Sequence, residues 1–204
     1  MQPTEARPRR TSGVRAGRSH RVVERVLAAA VAELAESGYA AFRMDAVTAA
    51  AGVNKTTVYR RWPSRRALVE AIVGHLETQM RDRPLPDTGA LEDDLVAAFS
   101  LRGEVAAEVE GLAWARLLAE RAHPDLSALV GAVVTRRQAE WRALVDRAIR
   151  LGELPPETRP LLLLDLVRAL VDDPSLAARG LQDKAWISLA VRTVVAGARA
   201  GVLS

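Results

Sequence analysis

The chain of 204 residues contains no cysteine. Disulfides, thiolate metal sites and cysteine nucleophiles are therefore excluded together, and such a chain fits a reducing interior. Histidine is scarce as well: His20, His75 and His123 stand alone, which leaves little from which to build a catalytic or metal-binding constellation. There is no phosphate-binding G-x-x-x-x-G-K, no G-x-S-x-G and no zincin helix. The acidic run "EDD" at 92–94 points its carboxylates around a helix rather than at one another, so it reads as solvated charge. The expectation is a protein that is not an enzyme and needs no cofactor or metal. Long apolar runs are also missing. The longest stretch free of charge is "LSALVGAVVT", 126–135, far short of the ~20 residues of a spanning helix. The basic N-terminus, "MQPTEARPRRTSGVRAGRSH", is not followed by an apolar stretch of the secretory type. A cytoplasmic protein with no membrane segment is expected. Finally, no alternating β-branched run is bounded by hairpin turns, so strands are not expected.

What is present is a helical chain with an asymmetric charge. Hydrophobic residues make up 49% of it, enough for a core. Residues 1–66 hold 13 Lys and Arg against 5 Asp and Glu, whereas the remainder holds 16 against 20. A basic first third on a mildly acidic body is the footprint of an end that binds a polyanion, or of a solvated basic tail.

Residues 1–18 mix Pro, Gly, Ser, Thr and Arg without periodicity and read as a flexible basic arm, with Ser19 as the N-cap of a first helix. Arg7, Arg9, Arg10, Arg15 and Arg18 of that arm could follow a minor groove or simply stay solvated. Val22, Val23, Val26, Leu27, Ala30, Val31, Leu34 and Ala35 form one apolar stripe, which Gly38 should end in a left-handed C′ conformation. A short helix is expected over 44–51 and a third from Asn54 to about Trp62, stopped by Pro63. Ser64 should cap a fourth, running 64–81. The breaker-rich "RDRPLPDTGA" follows. Further helices are expected at roughly 90–101, 104–121, 125–151, 157–171 and 182–200, separated by "RG", "HPD", "GELPPE" and "DDPSLAARG". The reading is all-α with about nine helices. An N-terminal domain at 19–66 precedes a larger helical domain at 67–204, and helix four connects the two.

Two short helices joined by a glycine turn, 44–62, form a helix-turn-helix pattern. Ala49, Ala50 and Ala51 are small enough for close helix crossing, Gly52 supplies a positive φ, and Val53 plugs the angle. The third helix then projects Lys55, Thr56 and Thr57. A B-DNA major groove of ~12 Å admits one helix, where short hydroxylated side chains reach base edges. Tyr59 and the flanking Arg60 and Arg61 could bond phosphates and set the register. An ordinary helical hairpin with a solvated basic face is the alternative.

The stretch "FRMDAVTAAAGVNKTTVYRRWPSRRAL", 42–68, closely resembles the DNA-binding signature of the TetR family of bacterial transcriptional regulators. The likeness lies in the alanine-rich second helix, "AGV", a polar cap, a tyrosine followed closely by an aromatic, and a basic start to helix four. The preceding "AAAVAELAESGYAAF" is similar to that family's first helix and its exit. The specific match covers about residues 20–70. The resemblance implies a homodimer that places two recognition helices in successive major grooves of double-stranded DNA at a palindromic operator. It also implies repression relieved by a small molecule bound in the C-terminal domain. Carried over residue by residue, Lys55, Thr56, Thr57 and Tyr59 fall on the recognition helix, Trp62 on the aromatic after it, and Arg65 on the basic residue opening helix four. Arg43 stands where the family often has a capping threonine, and could trade the cap for a phosphate contact. Thr48 stands where alanine is usual.

In the body, "RPLLLLDLVRALV" and "KAWISLAVRTVVAGA" carry apolar faces too wide for one buried stripe. By resemblance these are the last two helices, which pair with their copies across a dimer interface. Leu163, Leu166, Val167, Leu170, Trp186, Leu189, Ala190 and Val194 are its candidates; burial within one subunit is the alternative. Trp114 and Trp141, with Leu117 and Leu118, are candidates to line a cavity for a small hydrophobic or aromatic effector, unless they are plain core. A helical DNA-binding protein of the architectural kind, without sequence preference or effector, is the competing function.

Overall fold

The computed structural model describes residues 12–173 and 183–204. Among them the chain forms nine α-helices and no strand. In order these are α1 (Ser12–Ala41), α2 (Met44–Ala51), α3 (Lys55–Arg61), α4 (Arg65–Arg81), α5 (Leu91–Ala106), α6 (Val109–Ala119), α7 (Pro124–Arg150), α8 (Pro160–Val171) and α9 (Lys184–Arg199).

α1 begins earlier than its cap signal suggests. Ser19 is an exposed residue within the helix, because the preceding residues already hold helical backbone. Arg15 and Arg18 therefore stand on helical backbone rather than in a free arm, whereas Arg7, Arg9 and Arg10 lie outside the described residues. At its other end, Gly38 interrupts the helix at φ 72, ψ 175, and one more turn follows before Phe42. This is not the left-handed C′ state expected. It is an extended, positive-φ conformation that only glycine adopts freely.

Ser64 opens α4 by accepting a hydrogen bond from the Ala67 amide at 3.1 Å. The "RG" at 102–103 does not divide α5 from α6: the helix runs through it, and the break falls at 107–108. Space around Gly103 is open, so no packing forces a turn there. The tight approach is at Gly111 instead, where a Cβ would collide with the Val105 carbonyl oxygen.

Two apolar clusters organise these helices, and they do not follow the expected boundary at residue 66. The first joins Val26, Leu34, Tyr39, Val47 and Val58 to Leu68, Ile72 and Leu76 of α4, and then to Leu117 of α6 and Leu126, Val130 and Val133 of α7. Each fully buried leucine or isoleucine in it is worth about 1.5–3 kcal/mol relative to exposure. α1 packs on α6 more extensively than on any other helix. The second cluster unites α5, the C-terminal half of α7, α8 and α9 around Leu95, Phe99, Val145, Leu163 and Val191. α7 thus belongs to both.

A polar anchor fixes the segment between α4 and α5. Asp94, in the acidic run expected to be solvated, is instead fully buried; it accepts the Thr88 amide at 2.5 Å and pairs with Arg147, which also holds Asp87. Burial alone would raise the Asp94 pKa. The hydrogen bonds from Thr88 and Arg147 outweigh it and hold the carboxyl below its ordinary value.

Candidate nucleic-acid interface

α2 and α3 are joined by a turn whose geometry comes from one residue. Gly52 sits in the left-handed region, φ 59, ψ 37. The Gly52 amide donates to Ala49 O at 3.1 Å and the Val53 amide to Thr48 O at 3.2 Å, which satisfies the last carbonyls of α2. Arg25 of α1 completes this end. Its Nε and Nη2 donate to Ala51 O at 3.1 and 2.6 Å, and Nη2 also reaches Gly52 O at 2.9 Å. A guanidinium on a helix C-terminus is favoured by charge as well as by hydrogen bonding. Sequence reasoning missed Arg25; nothing in the local pattern links it to a turn 26 residues away.

Of the three alanines expected at the crossing, Ala51 is buried but Ala49 and Ala50 are exposed. Thr48 is buried, and its hydroxyl donates to Asp45 O at 2.8 Å. It thus satisfies itself on its own helix, which explains how a polar residue is tolerated there.

Asn54 caps α3 by accepting from the Thr56 amide at 2.9 Å. Val58 is the anchor of α3 and is fully buried. Lys55, Thr56, Arg60 and Arg61 are exposed, and Tyr59 is half-buried. Thr57 is half-buried too, on the rim of a cleft between α3 and Val22 and Val23 of α1. Arg43 is exposed at the N-cap of α2, without a side-chain capping bond; its amide donates instead to Glu33 at 3.2 Å.

Two residues expected on this face are elsewhere. Trp62 is only 7% exposed and belongs to the first core. Its ring closes the α3 end against α1 and carries Arg61 at 5.4 Å. Arg65 is drawn inward. Its guanidinium stacks on the Tyr39 ring at 4.3 Å and donates to Tyr39 O and Ala40 O, each at 3.3 Å. These carbonyls stand at the C-terminal end of α1, where Tyr39 O also accepts the Phe42 amide at 3.3 Å, and a cation there is favoured by the helix dipole.

One carboxylate stands among the cations. Asp45 of α2 pairs with Lys55 Nζ at 2.7 Å, and Lys55 lies over the Tyr59 ring at 5.5 Å. Hydrogen bonding from Lys55, then its charge, lowers the Asp45 pKa, with smaller contributions from Arg43 and the Tyr59 hydroxyl. The Lys55 pKa is raised by the same contact.

The exit of α1 binds this assembly to α6 and α7. Glu120 accepts the Tyr39 amide at 2.7 Å and the Ala40 amide at 2.9 Å. The buried Tyr39 hydroxyl donates to Asp125 at 2.7 Å, and its ring meets His123 edge-on at 4.8 Å. Burial, then the bond to Asp125, raises the Tyr39 pKa; that bond is in turn the main cause lowering the Asp125 pKa.

The four expected effector residues do not meet. Trp114, Leu117 and Leu118 of α6 pack into the first core, whereas Trp141 packs on Phe99 at 4.7 Å in the second. The cause is the placement of α6 along α1. A separate cleft of about 440 Å³ lies between α4 and α7, lined by Glu77, Met80, Arg81, Val133, Arg136 and Glu140.

The expected dimer residues divide by helix face. Leu163, Val167, Ala190 and Val194 are buried within the chain's own core, because α8 and α9 pack on each other and on α7 and α5. Leu166, Leu170 and Leu189 face outward, Leu189 56% exposed. Trp186 is half-buried and donates its indole N–H to Leu170 O at 2.9 Å.

An all-helical chain with a glycine-turn helix-turn-helix and an exposed basic recognition face is the architecture of a DNA-binding transcriptional regulator. Comparison with known proteins gives the family. A model described as "Bacterial regulatory proteins, tetR family" matches residues 26–72, and "Tetracyclin repressor-like, C-terminal domain" matches 85–194. The chain belongs to the TetR family of bacterial transcriptional regulators. It is 28% identical over 175 residues to the DNA-binding transcriptional repressor TetR of Mycobacteroides abscessus, covering 83% of this chain and 90% of that one. The crystal structure of a TetR transcriptional regulator from Chloroflexus aurantiacus superposes with TM-score 0.69 at 26% identity, over 90% of this chain and 96% of that one. The flavonoid-responsive regulator FrrA superposes with TM-score 0.63 at 25% identity, over 87% and 94%. No helix among the described residues is long and apolar enough to cross a membrane.

Proposed function

We propose that the protein is a ligand-responsive repressor that binds a palindromic operator as a homodimer and leaves it when a small hydrophobic or aromatic effector binds. The observation that carries this reading is the division of α3: Val58 and the adjoining Trp62 lock it into the core, while Lys55 and Thr56 are exposed on the opposite side. Anchoring of this kind holds a short helix rigidly enough to be presented to a groove. Thr56 faces base edges, with Thr57 at the rim, and Lys55 at the helix tip reaches a phosphate. Arg43, Arg60 and Arg61 reach phosphates, and the Tyr59 hydroxyl shares that task. Trp62 and Arg65 position the helix from behind.

Repression is supported by the Mycobacteroides relative, which is named a repressor. An effector is supported by the flavonoid-responsive neighbour. With Trp114, Leu117 and Leu118 committed to the first core, Trp141 beside Phe99 is the candidate aromatic wall. It is buried, so an effector there must select an opened arrangement of α5 and α7 and acts only through its differential affinity for the two states. The dimer face is the outward side of α8 and α9, where Leu166, Leu170 and Leu189 are exposed and Trp186 bonds the Leu170 carbonyl.

The test is binding of a labelled palindrome from the protein's own upstream region at moderate salt. It should bind at least a thousandfold tighter than scrambled DNA, the lower end of specific recognition at about 10³. Equal binding of both leaves the architectural, sequence-independent reading in its place.

A further inference from the structure

We propose that Asp45 is a specificity-determining residue, a built-in competitor that holds Lys55 Nζ at 2.7 Å and so suppresses binding to non-operator DNA. The inference rests on the DNA-binding reading above and adds a residue that the helix-turn-helix pattern does not assign.

From Arg43 to Val69 the chain carries six cations and one carboxylate, Asp45. That carboxylate is not tucked away. Asp45 and Lys55 are both more than half exposed, on the first turns of α2 and α3. An exposed pair of this kind contributes little to stability. Nor is Asp45 the N-cap of α2, since that position is Arg43 and makes no side-chain capping bond. An acid in the first turn is favoured by the helix dipole, which explains its tolerance but not its reach to Lys55. The contact instead occupies the one lysine at the tip of the recognition helix, and Arg43 and Tyr59 also lie close enough to act on the same carboxylate.

The consequence follows from what holds each kind of complex together. Binding to random DNA is almost wholly phosphate neutralisation with counterion release. A phosphate approaching Lys55 must displace Asp45 and then sit beside a negative charge. Non-operator binding therefore loses one phosphate contact per head. At an operator, base contacts from α3 remain and carry a larger share of the affinity, so the same carboxylate costs less. The net effect is a wider gap between operator and random sequence.

The test compares the full chain with Asp45→Asn, Lys55→Gln and the double variant, on operator and scrambled duplexes across a salt series. Asp45→Asn should bind scrambled DNA several-fold up to about tenfold tighter, with a slope of log K against log salt steeper by about one per head. Operator affinity should rise less, so the operator-to-scrambled ratio falls. In the Lys55→Gln background, Asp45→Asn should lose most of its effect. Unchanged scrambled binding and slope overturn the proposal. An undiminished effect in the Lys55→Gln background overturns the pairing, since it shows general charge alone. Loss of operator affinity confined to one base pair overturns it too, by making Asp45 a direct base contact. A wild-type operator-to-scrambled ratio near one defeats the regulator reading itself, whatever Asp45→Asn does; a large ratio with a silent Asp45→Asn defeats only this inference.

Discussion

Replacing Gly38 by alanine tests how the DNA-binding helices are tied to α6. Gly38 sits at φ 72, ψ 175, and a Cβ there would lie 2.6 Å from Glu120 Oε1. Two costs follow. A non-glycine residue in this region costs about 1–3 kcal/mol of backbone strain. Glu120 must also withdraw, and it receives the Tyr39 and Ala40 amides at 2.7 and 2.9 Å. A bond to a charged acceptor contributes about 1.5–3 kcal/mol, so forfeiting one brings the total to about 2.5–6 kcal/mol. That is a large part of the ~5–15 kcal/mol available to a typical domain. Urea unfolding of Gly38→Ala, Glu120→Ala and the pair separates the contributions. In the Glu120→Ala background the clash is gone, and Gly38→Ala should cost only the strain, ~1–3 kcal/mol. A loss below about 1 kcal/mol in the wild-type background, or an equal loss in both, refutes the coupling.

The other predictions concern the anchor and the proposed dimer face. Asp94→Ala leaves Arg147 with Asp87 alone and should cost about 2–4 kcal/mol, less than a fully buried pair because Arg147 keeps a partner and some solvent. The Asp94 pKa is depressed in the folded state, so its stabilisation is full above the unfolded value of ~3.9 and is lost as pH falls through the lower folded value. Asp94→Asn should accordingly flatten the acid limb of the stability curve; an unchanged limb contradicts this. Leu189→Arg places a charge on the outward face of α9 without touching the core, and sedimentation should show dissociation to monomers with secondary structure retained. A variant that stays dimeric moves the interface elsewhere.

The local signals of the chain were readable because each is written within a few residues. Gly52, Asn54 and Ser64 punctuate α2, α3 and α4 through bonds to neighbours two to four positions away, and the apolar stripe of α1 repeats with the helix itself. Wherever a distant partner decides, the sequence was silent. Trp62 matches the aromatic after the recognition helix by resemblance, yet the first core buries it. Arg65 matches the basic residue that opens helix four by resemblance, yet the last carbonyls of α1 and the Tyr39 ring hold it. Trp114 and Trp141 looked like two walls of one cavity, and the lay of α6 along α1 places them in different cores. Arg25 and Glu120 carry no motif at all; each matters only because of a backbone end brought to it from 26 or about 80 residues away.

The most direct measurement is a random-sequence binding selection run in parallel with wild type and Thr56→Ala. The account predicts an enriched two-fold symmetric site with half-sites about one helical turn apart. It also predicts that Thr56→Ala relaxes one base pair in each half-site, at ~1–3 kcal/mol, and leaves the rest of the site intact. No enriched sequence, or the same base preferences from both proteins, contradicts the assignment of the exposed face of α3 to the groove.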